Sequence, residues 1–185
     1  MRWILDIHRN LPLPDTARGV TTQLALEWAD RGVVALGLSG NAGRGCRGRD
    51  VLLRPGFQRA PRRPGLRSTP QLPASWPGRA SVWCAVRDLQ ADRIGHGVRS
   101  IEDPHLLAFL LCTNARSPVD VNPTSSGLFW APMHSPEQHP FIHLLRMGLC
   151  VTVNSHHPPL FNTTLTQEYQ RLAETFGLDA ATCNA

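Results

Sequence analysis

Short apolar runs alternate with polar breaks marked by glycine and proline along most of the chain. Trp3 to Ile7 is the first run, closed by His8, Arg9 and Asn10 and the prolines Pro12 and Pro14, and it reads as a strand. Thr16 to Ala29 places Val20, Leu24 and Trp28 four apart, the spacing of one helical face, before Gly32 interrupts it. Val33 to Leu38 is a second strand, and Gly37, Ser39, Gly40 and Gly43 make its exit loop permissive enough to approach a ligand closely. From Ala42 to Ala80 neither a helical nor an alternating period holds, except that Leu66 to Thr69 allows a brief strand. Order returns with Val82, Ala85, Val86 and Leu89 on one helical face, then a strand and turn over Ala91 to Gly97.

The rest of the chain repeats this alternation. Asp103 is placed to cap a helix with Pro104 at its first position and Leu106, Leu107, Leu110 and Leu111 as its buried stripe. Val119 and Val121 flank Asp120 in a short strand, and Asn122 to Gly127 reads as the loop after it. His139-Pro140 opens a helix through Ile142, Leu145 and Arg146 that stops at Gly148. Val151, Thr152 and Val153 are β-branched and read as a buried strand, with Asn154 to Pro158 as its polar exit. Thr164 with Gln167 forms a capping box for a last helix carrying Tyr169, Leu172 and Phe176 and ended by Gly177.

Six strand candidates separated by helical or irregular connections, at about 30 residues per unit, imply a parallel sheet with right-handed crossovers. An open doubly wound sheet and part of a β/α barrel both satisfy the pattern. Neither a Walker loop nor a Gly-x-Gly-x-x-Gly follows the first strand, so nucleotide binding by those devices is unsupported.

Composition narrows the class. A length of 185 residues with 42% apolar residues suits one domain spanning residues 1–185. No apolar run approaches the roughly 18 residues of a membrane span, and the cytoplasm is the expected compartment. The five cysteines are widely spaced, with no Cys-x-x-Cys pair, and are expected to be reduced thiols. All 19 basic residues are arginine, the mark of high-GC coding, so the net charge of +5 says little about a partner. Eight of them lie between Arg44 and Arg67 against the single acid Asp50. As a nucleic-acid arm this divergent stretch is the lesser reading, because Phe57 is its only aromatic and no known module surrounds it.

Polar groups close four of the strands: Ser39-Gly40-Asn41, His96, Thr124-Ser125, and Asn154 to His157. Strand ends are where α/β proteins place their chemistry. The adjacent imidazoles of His156 and His157 are candidates for metal binding or proton transfer, with at most one facing a given site.

The joint order of the motifs is more specific than any one of them. Arg93-Ile94-Gly95-His96-Gly97-Val98, Ile101-Glu102-Asp103-Pro104, Pro123-Thr124-Ser125, His139-Pro140, Val151-Thr152-Val153-Asn154-Ser155 and Leu165-Thr166-Gln167-Glu168-Tyr169 follow one another. This series resembles the adenosine deaminase family of zinc-dependent amidohydrolases, continuously from about Ser81 to Asp179 and more loosely over Trp3 to Gly40.

The resemblance implies an incomplete TIM-type (β/α) barrel, an α/β fold holding about the third to the eighth unit. It implies hydrolytic deamination of adenosine or a related purine, with zinc making its bound water acidic enough to attack the ring. His96 matches the histidine that orients the attacking hydroxide, and Gly40 matches a loop glycine whose backbone contacts the purine. His156 and His157 stand where the family presents two aspartates. His156 is therefore the candidate zinc ligand, and His157 the candidate hydrogen-bonding partner of the purine. The family's His-Ala-Gly-Glu would follow Thr69-Pro70, where this chain reads Gln71-Leu72-Pro73-Ala74. Impaired or absent turnover is the expectation, with a non-catalytic binding module of the same fold as the alternative and an arginine-rich nucleic-acid segment as the second alternative. Six units leave two open edges, and self-association through them is expected.

Overall fold

The structure, a computed structural model, describes residues 2–8, 15–40, 67–70, 79–112, 118–129 and 134–183. All six expected strands form: β1 Trp3–His8, β2 Val33–Ser39, β3 Arg67–Pro70, β4 Ile94–Gly95, β5 Val119–Val121 and β6 Val151–Val153. Every described pairing is parallel, in the orders β1-β2-β3 and β4-β5-β6. β3 also lies against β4, so the two sheets follow one another in chain order around one arc. Consecutive parallel strands with helical returns are the β/α repeat of a barrel, here incomplete.

The helices are α1 Asp15–Glu27, α2 Arg79–Arg87, α3 Pro104–Cys112, α4 Pro123–Phe129, α5 Phe141–Arg146, α6 Pro158–Phe161, α7 Leu165–Phe176 and α8 Ala180–Cys183. Caps expected from local chemistry are in place. Asp103 Oδ1 accepts from the backbone N–H of His105 and Leu106 (3.0 and 3.2 Å) and satisfies two of the donors left orphaned at the helix start. Its Oδ2 accepts from Trp83 Nε1 (3.0 Å), which ties α2 to the start of α3. Thr164 and Gln167 make the full capping box, and Gly177 ends α7 at φ 65°.

Three apolar clusters line the helix side of the arc. Ile7, Leu36 and Leu38 pack with Ala25 and Leu89; Ile94 packs with Leu106, Leu110 and Leu144; Val119, Val121 and Val153 pack with Phe141 and Leu172. β2 is buried on both faces over Ala35 and Leu36, as a strand inside a parallel sheet should be. On the opposite face of the second sheet, Asp120 binds the Arg93 guanidinium and accepts from Thr152 Oγ1 (2.5 Å), joining β4, β5 and β6 by polar groups. The alternation Val-Asp-Val in β5 thus separates an oily face from a charged one.

Several expectations change. Asn122 to Gly127, read as a loop, is mostly α4: Pro123 takes the first helical position, where its missing N–H is no loss. Leu111 is exposed at 45%, because only Leu106, Leu107 and Leu110 of its stripe face the sheet. Val20, Leu24 and Trp28 are also largely exposed, and α1 buries Ala25 instead, since no described element packs on that outer side. Cys84 is disulfide-bonded, against the expectation of reduced thiols. Cys112 and Cys150 are free and exposed. Among the described residues no helix is long and apolar enough to cross a membrane. Except for β3 and the start of α2, the stretch 42–80, with its arginine-rich run, lies outside the described residues.

Candidate functional site

The ladder register brings the ends of β4, β5 and β6 side by side: Ile94 pairs with Val119, and Val119 with Val151. The residues just past these strands therefore share one edge. His96 leaves β4 at φ 63°, a left-handed conformation uncommon for histidine, and Gly97 follows at φ 53°. The turn is tight, with Gly97 N–H donating to Gly95 O (3.0 Å). A Cβ on residue 97 would lie 2.5 Å from Val119 Cγ1, so glycine is required there for space as well as for φ.

His96 is 6% exposed. Asn122 Nδ2 donates to its Nδ1 (3.3 Å), and Ser126 Oγ lies 3.4 Å from the same atom. With Nδ1 accepting, the proton of the neutral ring sits on Nε2 and is directed at His156 Nε2, 3.4 Å away. The rings meet edge-on with centroids 4.6 Å apart. Nε2 of His156 then accepts, so its Nδ1 carries a hydrogen, and that buried donor has no hydrogen-bond partner. His156 too is left-handed, at φ 59°.

Both imidazoles are held neutral. Burial, then the neighbouring His156 and His157, lowers the His96 pKa to about 3. Burial, then His157, lowers that of His156 to about 4. His157 is exposed, with its ring centroid 4.1 Å from that of His156, and both rings lie nearly parallel to Phe161 at the end of α6.

The fold thus brings together three of the four candidate residues, His96, His156 and His157. Gly40 is at the C-terminal end of β2, at φ 92°, on the same rim but in the other three-stranded sheet. Three contributors escaped the pattern reading: Asn122 and Ser126, which orient His96, and Phe161, which backs the exposed pair. Ser126 falls four residues after Asn122, a helical spacing that would have pointed it at the strand end once α4 is read as a helix.

Glu168 of α7 is a buried carboxylate that organises the same rim. It is 1% exposed and accepts from Thr124 N–H (2.9 Å), Thr124 Oγ1 (2.5 Å) and Thr163 Oγ1 (2.6 Å). These bonds pin the start of α4, and with it Asn122 and Ser126, to the last long helix.

A parallel β/α arc with an oriented imidazole at its C-terminal edge is part of a β/α barrel whose strand ends carry the candidate site. Comparison with known proteins agrees. The adenosine deaminase family model matches residues 1–185. An aminodeoxyfutalosine deaminase of Streptomyces avermitilis is 36% identical over 179 residues, covering 97% of this chain and 48% of that protein. The apo structure of the N6-methyl-AMP deaminase from Arabidopsis thaliana superposes with a TM-score of 0.80 at 25% identity, over 98% of this chain and 50% of that one. A Burkholderia ambifaria amidohydrolase with bound zinc shares the fold at a TM-score of 0.73 and 22% identity, over 98% of this chain and 48% of that one. The chain belongs to the adenosine deaminase family. It spans about half the length of these relatives.

Proposed function

We propose that this chain is the purine-recognising part of a hydrolytic deaminase barrel, and that alone it binds an adenine-type purine without deaminating it. The observation that carries this reading is the His96–His156 contact. His96, the residue that the family resemblance assigns to orienting the attacking water, directs its Nε2 at a second imidazole 3.4 Å away. A carboxylate at position 156 would accept the same proton and add negative charge; neutral His156 adds none.

The residues present do not fit the family's zinc. Among the described residues no group of three or more His, Cys, Asp or Glu side chains is placed to hold a metal, whereas catalytic zinc takes three protein ligands. Zinc binding is therefore proposed as weak, with His156 as its donor, and no step is routed through it. What these side chains do without it is bind and orient. His96 fixes the position of a hydrogen-bonded group at the rim, Asn122 and Ser126 fix its tautomer, and exposed His157 offers one hydrogen bond to a purine. The Gly40 backbone is the proposed second contact. A proton donor for the ring is the remaining requirement of the chemistry, and the stretch after β3 reads Gln71-Leu72-Pro73 where the family places it.

The decisive measurement combines metal analysis of the purified chain, equilibrium dialysis with adenosine, and the ultraviolet absorbance of adenosine over time. The expected result is retained adenosine with substoichiometric zinc and constant absorbance. Stoichiometric zinc with falling absorbance would overturn the non-catalytic reading, and absence of adenosine binding would overturn the recognition reading.

A further inference from the structure

A cavity lies on the helical layer, between α4, the 3-10 turn Pro136–Gln138 and the face of α7 that carries Leu172, Thr175 and Phe176. It holds about 360 Å³, within the range of small-molecule sites. Its walls are mainly apolar, and among the described residues no acidic side chain lines it. None of the three clustered histidines contributes to it.

His139 gives the cavity its polarity. The side chain is 2% exposed and lines the space, and its Nδ1 accepts from Phe141 N–H (3.1 Å). The proton of the neutral ring therefore sits on Nε2, and that buried atom has no hydrogen-bond partner. The ring is neutral at pH 7, because burial lowers its pKa to about 4 against the opposing pull of the Glu168 carboxylate. An unsatisfied buried donor is rare in folded proteins, and a ligand acceptor would remove the penalty.

Arg171 supplies charge at the mouth. Its guanidinium donates to Thr124 Oγ1 and stands 3.8 Å from Glu168 Oε1, with about half of the side chain exposed. Both contacts are made by Nη1, so the half-exposed guanidinium keeps its other N–H groups for an incoming anion.

We propose that this cavity is a binding site for a small apolar monocarboxylate. The hydrocarbon or aromatic body lies against Leu172 and Phe176, a carboxylate oxygen accepts the His139 Nε2 proton, and Arg171 provides the countercharge. The site is separate from the purine rim, and it stands whether or not that rim turns substrate over.

The test uses the full chain with 2-naphthoate as the probe and uncharged 2-naphthamide as its isostere, followed by ligand-observed NMR and calorimetry. Naphthoate is expected to bind about tenfold more tightly than the amide, one charge-assisted hydrogen bond's worth of discrimination. Thr175→Trp, which fills the cavity from α7, is expected to abolish binding. Arg171→Gln, at a half-exposed position that tolerates the change, is expected to erase the difference between acid and amide. Saturating adenosine is expected to leave naphthoate bound. Failure of naphthoate to bind at millimolar concentration would show a cavity that holds water only. Undiminished binding to Thr175→Trp, equal affinity for the amide, or displacement by adenosine would each overturn the assignment.

Discussion

His96 and His156 are sixty positions apart, yet their rings meet at 3.4 Å where β4 and β6 reach the rim. Two neutral imidazoles can share one proton in a hydrogen bond but cannot offset a metal's charge, and this sets the first expectation. Replacing the second imidazole by a carboxylate, as in His156→Asp, should raise zinc affinity by at least about tenfold, since a charged oxygen ligand replaces a neutral nitrogen that is already hydrogen-bonded. Competition against a chromophoric chelator would read this out, and unchanged zinc affinity would remove His156 from the ligand role. Adenosine absorbance should stay constant in the same variant, because a carboxylate at this position restores no proton donor.

His139 makes a second prediction at this scale. Its pKa is about 4 in the fold, against an ordinary 6.5 when the chain is unfolded. Between those values the unfolded chain binds a proton that the folded chain does not. The stability this group contributes is therefore complete above pH 6.5 and declines as the pH falls towards 4. From pH 6.5 to 4.5 the loss should be about 2 kcal/mol. Urea midpoints across that interval would show the slope, and His139→Gln should remove this share of it, leaving the part that His96 and His156 contribute in the same direction.

At the scale of elements, turns and caps decide where the rim residues stand. Gly97→Ala should cost about 2–4 kcal/mol, because a left-handed φ and a 2.5 Å approach to Val119 act together. A thermal midpoint within a degree or two of the parent would refute that account. Glu168→Ala would leave the donors of Thr124 and Thr163 unpaired, and a loss of about 3 kcal/mol is expected. The same variant should loosen α4, which hydrogen exchange at Ser126 would reveal.

Strands were the most legible elements. Each is a short apolar or β-branched run between polar and glycine-rich breaks, and even β3 showed through the arginine-rich composition around it. α4 did not, because proline, serine and glycine read as loop, while burial of Ser125 and Ser126 against the rim holds the helix. The capping box of α7 was readable because it needs two residues three apart. The His96–His156 contact was not, since sheet order and two left-handed backbones create it, and neither leaves a local signature in the sequence. The exposed stripe of α1 misled in the opposite direction: its spacing announced a helix correctly but said nothing about whether a neighbour would cover it.

At the scale of the whole molecule, six parallel strands form an arc, and among the described residues β1 and β6 each have one unpaired side. Trp3 and Ile4 on β1 are 52% and 56% exposed, next to the open stripe of α1. We propose self-association through these edges. Sedimentation should show mass rising with concentration, and the double change Trp3→Lys and Ile4→Lys should suppress it, since charge on an edge opposes strand pairing. Concentration-independent mass in the parent chain would refute the proposal.

The unpaired flank of β1 also bears on how such an arc can be recruited. A lone extended peptide added to β1 would bring no return helix and would leave Val20, Leu24 and Trp28 wet. A covalently or transiently supplied strand-plus-helix unit would dry both surfaces at once. The edge therefore discriminates by architecture: it should hold a folded β/α segment more tightly than a simple β-peptide.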